Sequence, residues 1–318
     1  MVTTDELDKY RRELTGYCYR MLGSSFEAED AVQDTMVRAW KAIGSFEGRS
    51  SLRSWLYRIA TNVCLDALSA GNRRARPMDL SGPTPVAQAQ LVKQPEITWL
   101  EPIPDGRVMP TAGDPAEAAL HRETVRLAFV AALQHLAPKQ RAVLILREVL
   151  AWKASEVAEL LDTSVASVNS ALQRARATIA EQAPAESDAA NPLDEEQQAL
   201  LERYVAAFEG YDMKALTALL HEDATMTMPP FDLWLQGHDD IVGWMLGVGD
   251  VCRGSKLVPT VANGSPAFAH YHPDPEGGYS PWALIVLEVR DGKVAGMDFF
   301  LDTPRWFPLF DLPERLEA

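Results

Sequence analysis

Residues 162–180, DTSVASVNSALQRARATIA, carry side chains that could hydrogen-bond a base or hold a phosphate. The apolar members of this segment recur at intervals of three and four residues, which predicts a helix with one narrow apolar stripe. The other faces bear hydroxyl, amide and guanidinium groups and almost no acids. Such groups suit base edges near the start of the helix and phosphates further along. The candidate contacts are Ser164, Ser167, Asn169, Ser170, Gln173, Arg174 and Arg176.

The residues before this helix predict how it is positioned. KASEVAELL, residues 153–161, reads as a short amphipathic helix, and DTS follows it. Asp162 can adopt the left-handed conformation of a tight turn, and Thr163 or Ser164 can cap the next helix. Two helices joined by a three-residue turn form the helix-turn-helix layout, whose second helix enters the DNA major groove. A helical hairpin inside an all-α domain is the alternative.

Charge is divided unevenly along the 318 residues. The first 183 residues hold 22 basic and 22 acidic side chains, so the remaining 8 basic and 23 acidic ones carry the whole net charge of −15. An acidic segment repels phosphates, so nucleic-acid binding is expected only in the N-terminal part. The size allows two or three domains, each with a core of its own.

Composition also bears on compartment and cofactors. No apolar run approaches the roughly 20 residues of a membrane helix, and the start lacks the apolar core of a signal peptide. The cysteines Cys18, Cys64 and Cys252 are far apart, with no C-x-x-C, and read as buried thiols in a reducing cytosol. We therefore expect a cytoplasmic protein with no cofactor and no metal site.

Helical and proline-rich segments alternate along the chain. Residues 1–76 and 116–183 read as helices, while residues 77–115 are proline-rich and residues 184–193 form a second linker. Residues 194–318 combine two helices with strand-like runs, and Asp291-Gly292 is a strong hairpin signal between two of them. The fold class expected is multidomain, with two all-α domains and a C-terminal α+β domain.

Two helical segments resemble a known family. Residues 28–74, AEDAVQDTMVRAWKAIGSFEGRSSLRSWLYRIATNVCLDALSAGNRR, resemble region 2 of an extracytoplasmic-function (ECF) sigma factor, the promoter-reading subunit of bacterial RNA polymerase. RAVLILREVLAWKASEVAELLDTSVASVNSALQRAR resembles region 4 of the same family. This resemblance implies a region 2 helical bundle, a region 4 helix-turn-helix, and binding to promoter DNA and core RNA polymerase.

The resemblance also implies roles for individual residues. Region 2 is expected to dock on the polymerase β′ coiled coil through Asp30, Gln33, Asp34 and Arg38, while the β flap is expected as a second contact on the enzyme. The loop SFEGRSSL resembles the one that captures a base flipped from the −10 element, where an aromatic ring and polar groups stack and hydrogen-bond it. The −10 contacts expected are Phe46, Glu47, Gly48, Arg58 and Asn62, with a basic cluster of Arg73, Arg74 and Arg76 for phosphates. The helix predicted for residues 162–180 would then read the −35 element.

Residues 194–318 resemble the SnoaL-like domain, a cone-shaped α+β fold of the nuclear-transport-factor-two superfamily. Some sigma factors carry such a domain at the C-terminus, where it is taken to regulate the sigma regions in cis. Such sigma factors often have a tryptophan-containing linker motif similar to TWLEP here, and we expect the apolar residues Trp99, Leu100, Trp306 and Phe307 to provide the docking surfaces for this regulation. The fold encloses a pocket, so an unknown small ligand is a further expected partner. Other apolar side chains of this domain are expected in its core rather than in the pocket wall: Met226, Met228, Trp234, Trp244 and Phe299.

An enzyme tethered to a sigma-derived module is the alternative function, because cyclases of this fold use a His/Asp pair. The available groups are His221, His238, His270, His272, Asp232, Asp239, Asp298 and Asp302. None of them falls at a spacing that demands catalysis. We therefore expect no catalytic residues and a transcription initiation factor rather than an enzyme, since that function accounts for both parts of the chain.

Overall fold

The computed structural model describes residues 4–46, 48, 50–71, 73–94, 98–109, 115–182 and 195–317. The chain divides into two compact units. The helical unit comprises residues 1–74 and 105–184, and the C-terminal unit comprises residues 75–104 and 185–318. Each unit is therefore built from two separate stretches of chain.

The first stretch of the helical unit forms a bundle. Serine side chains begin its two longest helices: Ser24 accepts a hydrogen bond from the Glu27 amide, and Ser51 accepts one from the Ser54 amide. Its helices are α1 (Thr4–Asp8), α2 (Arg11–Leu22), α3 (Ser25–Ala42) and α4 (Leu52–Ala70). The buried faces of α2 and α4 meet at Tyr17 and Tyr57, whose rings lie 5.1 Å apart edge to face.

The second stretch adds further helices to the same unit. These are α5 (Asp105–Val108), α6 (Pro115–Val125), α7 (Leu127–Gln134), α8 (Pro138–Leu144), α9 (Ala154–Leu160) and α10 (Val165–Glu181). Residues 145–149 continue α8 as a π-helical turn. Helices α5 to α9 pack directly on α2 or α4, and α10 packs on α8 and α9.

Two buried arginines bind the two stretches together. Arg20 of α2 donates hydrogen bonds to the Thr124 carbonyl at 3.1 Å and to the Thr124 hydroxyl at 2.9 Å. Arg141 of α8 donates to the Met21 carbonyl and to the Gln134 side chain. Burial lowers the pKa of each arginine to about 10, so both remain charged at neutral pH. These charged contacts tie region-2-like and region-4-like helices into one unit.

The C-terminal unit is a helix-flanked mixed sheet. Its elements are α11 (Glu195–Glu209), α12 (Met213–Leu219), β1 (Leu220–Thr227), β2 (Trp234–Gln236), α13 (His238–Leu246), β3 (Lys256–Ala262), β4 (Ser265–Pro273), β5 (Tyr279–Arg290), β6 (Lys293–Phe300) and α14 (Thr303–Leu309). The sheet order is β2-β1-β6-β5-β4-β3, with β1 and β6 parallel and the other neighbours antiparallel. The α+β class expected from the sequence is confirmed.

The predicted hairpin lies between β5 and β6. Arg290 pairs with Lys293, and the residues between them have positive φ, 53° at Asp291 and 68° at Gly292. Positive φ at both positions is what a two-residue turn of this kind requires. The predicted core residues are also confirmed as buried: Met226, Met228, Trp234, Trp244 and Phe299. The three cysteines are likewise buried and free.

Residues 75–104, most of the proline-rich segment, belong to the C-terminal unit. Backbone bridges pair Lys93 with Phe231 and Pro104 with Ala262, and Ala75 with Trp99 within the segment itself. Short 3-10 turns form at residues 77–79 and 86–88. The segment is therefore structured on the sheet and its helices, which the lack of periodicity in its sequence did not indicate. Within the described residues, no helix combines the length and the apolar character needed to cross a membrane.

Candidate nucleic-acid interface

The helix-turn-helix is formed by α9 and α10. Asp162 takes the left-handed conformation, with φ at 50°, and the Ser164 hydroxyl caps α10 by accepting a hydrogen bond from the Ser167 amide at 3.1 Å. Both features follow from the residue types in DTS. Val168, Leu172 and Ala175 are buried, so the apolar stripe faces the unit. The remaining members of the stripe are exposed at Val165 and half-buried at Ile179.

The outer face of α10 is polar and accessible. The exposed side chains are Ser164, Ser167, Asn169, Ser170, Gln173, Arg174 and Arg176. Arg174 donates a hydrogen bond to the Ser170 hydroxyl at 3.0 Å, and Arg176 pairs with Glu148 at 2.6 Å. Both contacts lie in solvent, where such pairs contribute little to stability and give way to a phosphate. The helix thus presents donors and acceptors along one side.

A second exposed polar face lies on α4. Arg58 and Asn62, four residues apart, are both exposed and share this face. At the start of α4, the rings of Phe46 and Trp55 lie 5.0 Å apart, and Gly48 has φ at 69°, a conformation that glycine adopts without strain. Glu47 lies outside the described residues. An aromatic pair beside a sharp turn can stack on a flipped base.

The face of α4 meets α9 across a cleft of about 230 Å³. Its lining residues are Ser50, Ser51, Ser54, Trp55, Arg58, Glu156, Glu159 and Leu160. Arg58 donates hydrogen bonds to the carbonyls of Glu159 and Leu160 at the C-terminal end of α9. Cations are favoured at this end of a helix, because its last carbonyls are unpaired. A candidate promoter contact is thus engaged by the helix-turn-helix of the same unit.

The predicted basic cluster is divided between different environments. Arg73 is exposed, with its guanidinium 3.3 Å from a ring nitrogen of His135. Arg74 is only 7% exposed and pairs with Glu27 at 2.6 Å, so a phosphate could reach it only after that pair separates. Arg76 belongs to the C-terminal unit, where it pairs with Asp79 at 3.6 Å. Of the three, Arg73 is the one whose side chain lies in solvent.

The predicted polymerase-binding residues lie along one side of α3. Asp30, Gln33, Asp34 and Arg38 are exposed or half-buried, and Arg38 pairs with Asp34 at 2.7 Å. Trp40 is 62% exposed and Val37 is 42% exposed. Val32 of the same helix is buried. Exposed apolar side chains beside charged ones are typical of a docking surface. The exposure of Val37 and Trp40 is known only from the structure, since the sequence does not distinguish them from core residues.

The predicted regulatory residues have partners inside the C-terminal unit. The Phe307 ring lies 5.2 Å from Tyr271, and the Trp306 ring lies 6.0 Å from Phe300. Leu100 is buried, and Trp99 is half-buried and bridged to Ala75. The last residues also pair with the sheet, since Leu316 exchanges hydrogen bonds with Tyr279. The aromatic C-terminus is therefore part of this unit's own structure.

Most of the titratable residues considered for catalysis have structural partners. His221 lies 2.5 Å from Asp223 beside Arg290, and the His238 ring lies 3.0 Å from the His221 carbonyl. Asp232 accepts from Gln94 at 2.8 Å, and Asp302 lies 3.9 Å from Arg305. Asp239 is exposed, and Asp298 is half-buried and accepts a hydrogen bond from the Thr227 hydroxyl, with desolvation of its carboxyl group raising its pKa. His270 and His272 lie side by side on β4.

A helix-turn-helix with an exposed polar helix, joined to a helical bundle and an α+β domain, defines a DNA-binding protein with a fused accessory domain. Known families match each part. Residues 7–74 match Sigma-70 region 2, residues 126–179 match Sigma-70, region 4, and residues 201–297 match the SnoaL-like domain.

Relatives match the whole arrangement. The ECF RNA polymerase sigma factor SigG of Mycobacterium tuberculosis is 46% identical over 316 residues, covering 97% of this chain and 83% of SigG. SigJ of the same organism is 29% identical over 306 residues, covering 92% of this chain and 89% of SigJ. The crystal structure of SigJ superposes with a TM-score of 0.63 at 24% identity, covering 98% of this chain and 100% of that one, which shows a shared fold.

The chain belongs to the ECF RNA polymerase sigma factors. Such proteins bind core RNA polymerase and promoter DNA to initiate transcription, and this one carries a fused SnoaL-like domain. Family membership does not favour the alternative of an enzyme tethered to a sigma-derived module.

Proposed function

We propose that this sigma factor is held in a closed state, in which regions 2 and 4 pack together, and that its C-terminal unit maintains this state in cis. The observation that carries the proposal is the position of residues 75–104. This segment connects regions 2 and 4 along the chain, yet it belongs to the C-terminal unit.

The distance between promoter elements explains why the connection matters. Elements centred near −10 and −35 are separated by about 25 base pairs, or about 85 Å of B-form DNA. A free chain as long as residues 75–104 could extend by about 100 Å, which is enough to join two domains bound at both elements. In the structure Ala75 is bridged to Trp99, so these two residues are neighbours and the segment is far from extended. Regions 2 and 4 can therefore reach both elements only after the segment leaves its binding site on the C-terminal unit. We call this site the seat; it includes Trp234, Asp240, Asn263 and Arg305.

Directional contacts fasten the segment. The Val86 amide donates to the Asp240 carboxylate at 2.8 Å, and the Trp234 indole donates to the Ser81 carbonyl at 3.0 Å. Further along, the Ile103 amide donates to the Asn263 side chain at 2.9 Å. Arg305 pairs with Glu101 at 2.8 Å. Together these contacts act near both ends of the segment.

The contacts of Arg58 support the closed state independently. In the closed unit this side chain is bonded to α9, whereas in the promoter complex we propose that it contacts DNA together with Asn62. Phe46, Glu47 and Gly48 would then hold the flipped −10 base. The polar face of α10 would read the −35 element, with Arg174 and Arg176 on phosphates. Arg73 would provide a further phosphate contact.

On the polymerase, we propose that the α3 surface binds the β′ coiled coil through Asp30, Gln33, Asp34 and Arg38, with Trp40 as an additional apolar contact. Region 4 would bind the β flap. We propose further that the protein acts in the cytoplasm, where core polymerase and promoter DNA are found. We also propose that it catalyses no reaction, because most of the acids and histidines considered as catalytic groups have structural partners. A small ligand of the C-terminal unit would act by loosening or tightening the seat of residues 75–104.

A distance measurement tests the closed state directly. The native cysteines are buried, so labels can be attached at Ser69→Cys on α4 and Ala177→Cys on α10, both exposed positions. The free protein should give a short, narrow distance distribution, which should lengthen by tens of ångströms on promoter DNA with core polymerase. A free protein that already gives the long distance would contradict the proposal.

Run-off transcription tests the role of the C-terminal unit. Residues 1–183 lack the seat for residues 75–104, so they should transcribe more strongly than the full chain at equal concentration of core polymerase. A chain ending near Pro304 loses Trp306 and Phe307 and should show an intermediate effect. Equal transcription by all three would refute regulation in cis.

A further inference from the structure

Cys252, His270 and His272 form a compact group in the C-terminal unit. One donor atom from each, a thiol sulfur and two imidazole nitrogens, lies within 4.8 Å of the others. His270 and His272 are two residues apart on β4, which places both side chains on one face of the strand. Cys252 ends a 3-10 turn that leads into β3, the neighbour of β4. The fold thus brings together residues that no sequence motif connects.

His270 lacks the partners that a buried histidine normally has. It is 0% exposed, and among the described residues neither of its ring nitrogens has a hydrogen-bond partner. The Nε2 atom of His272 is likewise buried without a partner in the described part of the chain. Polar groups in protein interiors are nearly always hydrogen-bonded, so such a pair calls for an explanation. A bound ligand for these nitrogens would supply it.

The surroundings restrict what that ligand can be. The Phe208 ring lies 5.2 Å from His270, edge to face, and Phe299 lies 6.4 Å away. His272 stacks on Trp282, with ring centroids 3.8 Å apart, and Trp282 is 40% exposed. The group is therefore enclosed by aromatic side chains on its inner side and approaches the surface at Trp282.

We propose that Cys252, His270 and His272 bind a zinc-type divalent cation. Thiolate sulfur and imidazole nitrogen are the donors that Zn²⁺ prefers, at about 2.3 Å and 2.0–2.1 Å. Around a tetrahedral ion these lengths place the donors about 3.3–3.6 Å apart. Since the donors now lie within 4.8 Å of one another, the separations need to close by at most about 1.5 Å. Three protein donors leave a fourth position for water or a small exogenous ligand.

The two imidazoles are in the form that binds a metal, whereas the Cys252 thiol must lose its proton to do so. Burial lowers the pKa of His272 to about 4 and that of His270 well below its usual range, so both imidazoles are neutral and offer lone pairs. Burial and Asp250 raise the pKa of the Cys252 thiol to about 12, so it is protonated at neutral pH. Binding therefore replaces the thiol proton by the metal and releases about one proton per ion.

Cobalt(II) is a suitable probe, because it takes zinc sites and gives an intense charge-transfer absorption when a thiolate binds it. The full chain, reduced and freed of metal, should develop this absorption up to one equivalent of Co²⁺, release about one proton per ion, and lose the band to Zn²⁺. Zn²⁺ should also raise the melting temperature of the protein, since only the folded state holds the site.

Variants separate the site from other binding. Cys252→Ser should abolish the charge-transfer band and the proton release, and His272→Asn should weaken binding by more than about 100-fold, beyond the usual cost of losing an outer-shell partner. Cys18→Ser and His221→Asn are matched controls outside the site and should bind as the wild type does. His272 is only half-buried, so its replacement is the variant least disruptive to folding.

Several results would overturn the proposal. One is a wild-type chain with no charge-transfer band at excess Co²⁺. Another is binding that persists unchanged in Cys252→Ser or His272→Asn. The wild-type titration needs no variant to fold, and it is independent of whether the C-terminal unit regulates transcription.

Discussion

Asp240→Ala should release the seated segment locally. The carboxylate of Asp240 accepts a hydrogen bond from the Val86 amide at 2.8 Å. Among the described residues, that amide has no second acceptor that could replace it. A hydrogen bond to a charged acceptor contributes about 1.5–3 kcal/mol when buried, and half-burial of Asp240 reduces this to about 1–2 kcal/mol. Local opening should therefore become about 5–30 times more frequent, and amide exchange around Val86 should accelerate by the same factor.

Asp239→Ala is the matched control. Both aspartates lie in the first turn of α13, so both substitutions remove the same favourable interaction with the helix N-terminus. Of these two aspartates, Asp240 is the one that accepts a hydrogen bond from the segment. Hydrogen exchange resolved to residues 81–94 should rise in Asp240→Ala and stay within about twofold of wild type in Asp239→Ala. A second route to the same release is Gly243→Ala, whose new methyl would lie 3.1 Å from a Val86 methyl group.

The outcomes discriminate between two parts of the reasoning. Equal exchange in the two aspartate variants would refute the seat itself. Faster exchange in Asp240→Ala without any increase in run-off transcription would leave the seat intact and refute its regulatory role.

Other predictions concern the helical unit. Arg174→Ala should weaken promoter binding equally for all sequences and lower the slope of affinity against salt by about one, whereas Asn169→Ala should change −35 preference by about 1–3 kcal/mol; binding titrations on promoter variants at several salt concentrations decide both. Phe46→Ala should impair promoter opening, read by permanganate footprinting, while polymerase binding stays intact; a normal footprint would remove Phe46 from the site. Arg20→Met should lower the free energy of unfolding by about 2–4 kcal/mol because buried acceptors lose their donor, while the exposed Arg11→Met should change it by less than about 0.5 kcal/mol in denaturant titrations.

Local chemistry explains what the sequence predicted correctly. The helix-turn-helix depends on an apolar period, an aspartate able to take positive φ and a serine cap, all within twenty residues. The turn of the β5–β6 hairpin is signalled by Asp291-Gly292, whose residues adopt the positive φ that it requires. Such features are encoded by neighbouring residues, so a reading of neighbours finds them.

Distant contacts explain what the sequence did not show. The seat of residues 75–104 depends on hydrogen bonds between residues 154 positions apart, as for Val86 and Asp240, and no local pattern carries that information. Arg20 and Arg141 are buried although arginine is mostly exposed, since their hydrogen-bond acceptors come from other helices. The expectation of no metal site rested on a local pattern, the absence of C-x-x-C, whereas the proximity of Cys252, at the end of a 3-10 turn, to His270 and His272 on β4 is set by the fold.

The order in which the two halves of the seat are synthesised has a consequence for the newborn protein. Residues 81–104 leave the ribosome long before their partners, which follow 154 residues later at Asp240, 160 later at Asn263 and 204 later at Arg305. At about 5–20 residues per second, this delay amounts to roughly 8–40 s. Region 4 is complete only at residue 183, and Asp240 follows 57 residues later, so both regions are finished while the segment between them is still unattached for about 3–11 s of this delay. In that period the nascent chain is open to capture by polymerase, before the proposed restraint has formed.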